Sequence, residues 1–139
     1  MEVDAAYTRG IVTARASWAH TDSRVVASGV AGVLDGLRPA QTPKDQVSAT
    51  LGFAQGDAAF SATLRHVARQ FEDDQNSRSL APATTLDAFA AVPVARGFAV
   101  ELRGENVTDA RIEAGVTGAN IVERANPRTL WVGLRYAMR

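Results

Sequence analysis

The sequence predicts an all-β protein: an antiparallel, up-and-down transmembrane β-barrel, present here as a fragment of about seven strands. Three observations predict it. Apolar and polar residues alternate with period two in segment after segment. The connections between those segments alternate short and long along the chain. One face of the predicted strands carries charge where a small soluble barrel would carry an apolar filling.

The strands follow in order. Val3, Ala5 and Tyr7 alternate with Glu2 and Asp4 in a short first strand. Val12, Ala14, Ala16 and Trp18 lie opposite Thr13, Arg15 and Ser17. Val47, Ala49, Leu51 and Phe53 alternate with Ser48, Thr50 and Gly52, and Phe60, Ala62 and Leu64 with Ser61, Thr63 and Arg65. Leu86, Ala88, Ala90 and Val92 form a further apolar row. Phe98, Val100 and Leu102 alternate with Ala99, Glu101, Arg103 and Glu105. Last, Leu130, Val132, Leu134, Tyr136 and Met138 share one face, while Thr129, Trp131, Gly133, Arg135 and Arg139 share the other. Most of these segments approach the about 9–11 residues that cross a bilayer at a tilt. A helical reading fails because the charges fall at i, i+2 and Thr and Val are frequent. The segment Val25–Leu37 admits either a helical turn or an extra hairpin.

The short connections are Thr8-Arg9-Gly10, Gln55-Gly56-Asp57 and Ala95-Arg96-Gly97, each with the glycine of a tight hairpin. The long ones run roughly over Asp22–Asp45, Glu72–Ala81 and Val107–Arg128. Short turns on one side and long loops on the other are the habit of outer-membrane barrels. The final strand follows a long loop, so it runs inward and leaves the C-terminus periplasmic. The five prolines fall in loops or at strand ends, where a missing N–H does no harm.

Composition excludes several classes. Fifteen basic and fifteen acidic residues leave no net charge, so nothing points to nucleic acid. No cysteine is present, so neither a disulfide framework nor a thiolate metal site is available. No apolar run approaches the roughly 20 residues of a membrane helix. A barrel would escape that test, because lipid-facing and lumen-facing residues alternate. Glu2 and Asp4 stand where the basic start of a signal peptide belongs, and no apolar stretch follows. The chain is therefore expected to be the tail of a longer one.

Within the predicted barrel, Trp18, Tyr136 and Tyr7 lie near strand ends on the outward face, where an aromatic girdle belongs. Glu101, Arg103, Glu105, Arg65 and Arg135 point inward, as cross-strand pairs or contacts to a plug. His66 falls outward near the outer end of its strand, an interfacial place. The oxygens of Glu72-Asp-Asp-Gln-Asn76 suit calcium chemically, but EF-hand spacing and its turn glycine are absent, so they read as a solvated loop tip. Asn106 and Asp109 read as strand terminators through side-chain–backbone hydrogen bonds. No Ser-His-Asp set, metal-ligand cluster or phosphate loop stands out, so no enzyme, cofactor or metal is expected.

Val100-Glu-Leu-Arg-Gly-Glu-Asn-Val-Thr-Asp109, a polar loop, and Asn126-Pro-Arg-Thr-Leu-Trp-Val-Gly-Leu-Arg-Tyr-Ala-Met-Arg139 together resemble the C-terminal end of a TonB-dependent outer-membrane receptor. Asn106-Val-Thr-Asp109 occupies the family's N-L-x-D position with valine for leucine. Arg124 and Pro127-Arg128 match its basic lead-in to the last strand. Tyr136 stands near the terminus, and Met138 takes the slot of the usual terminal aromatic. Upstream, Val47–Ala54, a turn, Ala58–Phe71, the acidic stretch to Asn76 and Thr85-Leu-Asp87 resemble the family's preceding strands. The resemblance implies Asn106, Asp109, Arg128 and Tyr136 as motif positions. It also implies the outer membrane of a Gram-negative bacterium, and uptake of a scarce nutrient of the ferric siderophore, cobalamin or glycan class. The implied partners are outer-membrane lipid, the TonB system through an N-terminal part not in this chain, and the barrel-assembly machinery. Two alternatives stand beside it. One is a small self-contained outer-membrane barrel; the other is a soluble antiparallel β-sheet binding module.

Overall fold

In the computed structural model, which describes residues 1–117 and 121–138, eleven strands and one short 3-10 helix account for the regular structure. The strands are β1 (Glu2–Arg9), β2 (Val12–His20), β3 (Asp45–Gln55), β4 (Ala58–Val67), β5 (Gln70–Phe71), β6 (Ser79–Leu80), β7 (Ala83–Ala95), β8 (Phe98–Glu105), β9 (Glu113–Val116), β10 (Val122–Arg124) and β11 (Thr129–Tyr136). Seven of them form one sheet in the order β1-β2-β3-β4-β7-β8-β11, each antiparallel to its neighbours. The other four are two-stranded ribbons within the long connections, β5 with β6 and β9 with β10. Arg139, expected on the polar side of the last strand, lies outside the described residues.

The hairpins set the register. Arg9 pairs with Val12, so the first turn is Gly10-Ile11. The expected Thr8-Arg9-Gly10 turn therefore shifts, because Gly10 takes a positive φ of 58° at the first turn position, as a type II′ hairpin requires. Gln55 pairs with Ala58 around Gly56-Asp57 in the same way. Pro93 sits inside β7 rather than in a loop, where the register slips between Pro93 and Ala95. A bulge tolerates the missing donor there. The segment Val25–Leu37 holds a 3-10 helix over Gly29–Leu34, closed by Gly36 N–H donating to Val25 O.

With register fixed, every strand turns the same chemistry to the same side. Leu51, Ala62, Ala88, Gly104 and Leu130 form one row across β3, β4, β7, β8 and β11, and Phe53, Phe60, Ala90, Leu102 and Val132 form the next. The opposite face carries Arg15, Thr50, Thr63, Arg65, Asp87, Glu101, Arg103 and Arg135. No second layer of the described residues covers the apolar face; Val107 alone folds onto it, at Gly104. Val132 is 77% exposed and Leu51 60%, while Leu80, Ala91 and Ala99 are the buried hydrophobic side chains of the described residues. The surface of 9524 Å² compares with roughly 6,900 Å² for a compact soluble chain of this mass. A sheet with no second layer and an apolar side left open is a wall, not a globule.

Aromatic residues mark both margins of that wall. Trp18 lies at the long-loop end, its Nε1 donating to Asp45 Oδ1 at 3.2 Å. Toward the short turns, the Phe53 and Phe60 rings are 6.2 Å apart and Phe98 and Tyr136 4.6 Å apart.

Candidate functional site

The polar face and the three long connections above it form the candidate site. Its wall is held by ion pairs between neighbouring strands. Arg135 Nε donates to Glu101 Oε1 at 2.8 Å, and Arg65 on β4 pairs with Asp87 on β7. Arg103 lies 3.9 Å from Glu105 on its own strand. Thr50 and Thr63 share a hydrogen bond at 2.9 Å. The two interstrand pairs are exposed, so each secures geometry more than stability.

Asn106, immediately after β8, is the buried polar residue of the described chain, at 4% exposure. Its amide closes a ring with Ala110, Nδ2 donating to Ala110 O and Oδ1 accepting Ala110 N–H, both at 2.9 Å. Its own N–H donates to Asp87 Oδ1 at 2.9 Å. Asn106 and Asp109 both take positive φ, 48° and 55°, a region that asparagine and aspartate tolerate better than other side-chain-bearing residues. Asp109 Oδ1 accepts the Arg128 N–H at 3.0 Å, so the far end of the loop returns beside β8 and delivers β11 in register. Between them, Val107 folds over Gly104. A Cβ added to Gly104 would lie 2.5 Å from Val107 Cγ1, so only glycine leaves that space.

The structure thus brings Asn106, Asp109 and Arg128 together. Tyr136 lies apart, at the other end of β11 against Phe98. His66 occupies the apolar face, its Nδ1 sharing a hydrogen bond with Thr84 Oγ1 at 2.8 Å. The acidic stretch is exposed at Asp74 and Gln75, as expected of a loop tip, but its side chains also bind protein. Asp73 caps the turn by accepting Ser77 N–H at 2.8 Å and Ser77 Oγ–H at 2.5 Å. Those bonds hold its carboxyl below the ordinary carboxylate value, with the Ser77 hydroxyl the largest cause. Asn76 exchanges two bonds with the Arg38 backbone, Oδ1 accepting N–H at 2.9 Å and Nδ2 donating to O at 2.7 Å. Asp74 Oδ1 accepts Ala40 N–H at 2.9 Å. On its other side the same connection donates Arg78 Nη1 to Val116 O at 2.9 Å and Ala81 N–H to Glu113 Oε2 at 2.8 Å. Sequence spacing could not show that these carboxylates and amides bind neighbouring loops rather than water. The three long connections are one laced body.

Phe89 escaped the sequence reading, and Asp87 entered it only within Thr85-Leu-Asp87, with no role of its own. Alternation from Leu86, Ala88 and Ala90 assigns both to the polar face, and that parity was the available signal. A cleft of about 540 Å³ opens beside Asp87, Arg103 and Asn106, roofed by Ile112 and Pro127. Among the described residues no cluster of three metal-ligating side chains occurs.

An antiparallel sheet with one open apolar face, a charged opposite face, tight turns below and laced loops above has the fold of a section of outer-membrane receptor barrel. The siderophore receptor PiuA from Acinetobacter baumannii superposes with a TM-score of 0.78 over 92% of this chain and 20% of its own, at 14% identity. BauA, the ferric preacinetobactin receptor of the same organism, gives 0.70 over 90% of this chain and 19% of its own, at 22% identity. The copper transporter OprC gives 0.71 over 99% and 23%, at 18% identity. The chain therefore spans about a fifth of the structures it matches. No family model matches the sequence, and no curated protein matches it.

Proposed function

We propose that residues 1–139 are the C-terminal seven strands of a TonB-dependent receptor barrel in the outer membrane of a Gram-negative bacterium. Such a receptor would import a scarce nutrient of the ferric siderophore, cobalamin or glycan class. The observation that carries the reading is the continuous apolar face, in register across the sheet and uncovered. In water that face is a liability; in a bilayer it is the required surface. The charged face then borders the lumen, the short turns face the periplasm, and the laced loops face outward. The role is transport, not catalysis.

Strand parity supports the same reading. In a seven-stranded antiparallel sheet β1 and β11 run in the same direction. Closing this sheet on itself, or joining copies edge to edge in a ring, would pair them in parallel. An odd number of additional strands closes an antiparallel barrel, and about 22 in total leaves 15 to be supplied. This argues against the self-contained barrel, and the missing second layer argues against the soluble module. In this reading Asn106, Asp109, Arg128 and Tyr136 stand at the family's motif positions. TonB would engage a part N-terminal to this chain, and the barrel-assembly machinery would receive its last strand.

Topology is tested by cysteine labelling of the full-length protein on intact cells, with any cysteine outside residues 1–139 replaced, since these residues contain none. Gln75→Cys should react with a membrane-impermeant maleimide. Arg96→Cys should react only after the outer membrane is breached. Equal labelling of both sites would end the barrel reading.

A further inference from the structure

Where β2 and β3 end, three cations gather on one carboxylate. The ladder of β2 and β3 closes with His20 opposite Asp45, and Thr21 N–H donates to Lys44 O at 2.8 Å to extend it one step. Just beyond, Asp22 Oδ1 lies 3.0 Å from Arg38 Nη2, 3.6 Å from Lys44 Nζ and 3.7 Å from Arg24 Nε. Among the described residues Asp22 is the one carboxylate partner these three cations have, so their charge is only partly matched. The side chains of Arg24 and Lys44 are 53% and 40% exposed, so both can take a further anion. Like charges held this close repel, and an anion that joins them relieves the repulsion.

What lies below the cations fixes the source of that anion. Asp22 follows Trp18 and His20 at a spacing of two, which carries it to the side of the open apolar face. On that side the row Trp18, Val47, His66, Thr84 comes first. His20 and His66 use Nδ1 on Asp45 and Thr84, so each ring turns its Nε2 to no protein partner among the described residues. In the next row Ala5, Ala16, Ala49, Leu64 and Leu86 stand directly opposed, and they border a groove of about 480 Å³. Cations above a polar fringe above an apolar groove match an amphiphile with an anionic head. A phosphate suits the guanidinium fork, and an acyl chain suits the groove. A free anion would use the cations and leave the groove empty. We propose that Arg24, Arg38 and Lys44, with the groove beneath them, hold the phosphorylated headgroup and an acyl chain of an outer-leaflet lipid. The proposal rests on the receptor reading, which sets this side against lipid with its long loops outward. It adds the headgroup chemistry and the residues that bind it.

The test uses the full-length protein in lipid-free detergent, with native mass spectrometry as the readout. The probes are lipid A carrying its phosphates and lipid A stripped of them. The phosphorylated form should bind in a single copy and roughly tenfold or more tightly than the stripped form. Arg24→Gln with Lys44→Gln should lose that preference, whereas Arg24→Lys with Lys44→Arg should keep it. Ala16→Leu should weaken both forms by filling the groove. Arg96→Gln, in a short turn at the other end of the sheet, should change nothing. Equal binding of the two forms to wild type would overturn the proposal, and that comparison needs no variant to fold. Displacement of lipid A by equimolar inorganic pyrophosphate would assign the cations to a soluble anion and overturn it as well. Either result leaves the receptor reading intact, because cysteine labelling at Gln75 and Arg96 decides that separately. Equal labelling there would remove both.

Discussion

Asp87 Oδ1 on β7 accepts the N–H of Asn106, 2.9 Å away and one residue past the end of β8, while its other oxygen pairs with Arg65 on β4. A single carboxylate thus joins three strands at the rim where the last loop leaves the sheet. Asn106 turns the chain by its positive φ and closes the amide ring with Ala110. The loop that follows brings Arg128 back to Asp109.

Asn106→Ala should destabilise the protein by about 1–3 kcal/mol, because the half-buried Ala110 N–H and O lose their partners. Asn106→Asp keeps the acceptor but loses the Nδ2 donors, and should fall between wild type and alanine. Urea unfolding midpoints of the full-length protein in detergent micelles measure both. Equal stability of Asn106→Ala and wild type would show that the clamp contributes nothing.

On the outward face, Val132→Arg should cost roughly 2–4 kcal/mol in a bilayer. Arg135→Gln, three residues along the same strand on the other face, removes an exposed pair and should cost at most about 1 kcal/mol. Unfolding from lipid vesicles gives both numbers. The reverse order would mean that the lipid and lumen faces had been exchanged.

Two turn glycines should differ although both have positive φ. Gly10 has open space around it, so Gly10→Ala meets only the left-handed backbone penalty of about 1–2 kcal/mol. At Gly97 a Cβ would lie 2.9 Å from Ala137 O and 3.0 Å from the Tyr136 ring, so Gly97→Ala adds a clash with the strand that ends the sheet. The heat-modifiable shift on unboiled gels should show a larger folded fraction for Gly10→Ala than for Gly97→Ala.

The Asp73 carboxyl is held below its ordinary value of 3.8, first by the Ser77 hydroxyl. A depressed carboxyl stabilises the folded loop at pH above the unfolded value, and that contribution is lost as pH falls through the folded one. Amide exchange of Asn76 and Ser77, corrected for intrinsic rates, should show steady protection from pH 7 down to about 4 and loss below 3.8. Asp73→Asn should remove that pH step. A step that persists in the variant would assign it to another group.

Alternation by itself determined the seven strands of the main sheet and which residues share each face, because a pleated strand turns successive side chains to opposite sides whatever its neighbours. Turn glycines placed the hairpins to within about a residue. Leu130, Val132 and Leu134 were legible as one apolar stripe, and Arg135 as its opposite. The tertiary structure decided what depends on distances between strands remote in sequence. Phe89, Arg103 and Trp131 become neighbours only through the register of β7, β8 and β11. Asp87 reaches Asn106 only because β7 and β8 pair, and Asp74 and Asn76 find the backbone near Arg38 only because two loops rise side by side. Local preference fixes which way a side chain points, while the partner it meets is set by the pairing of whole strands.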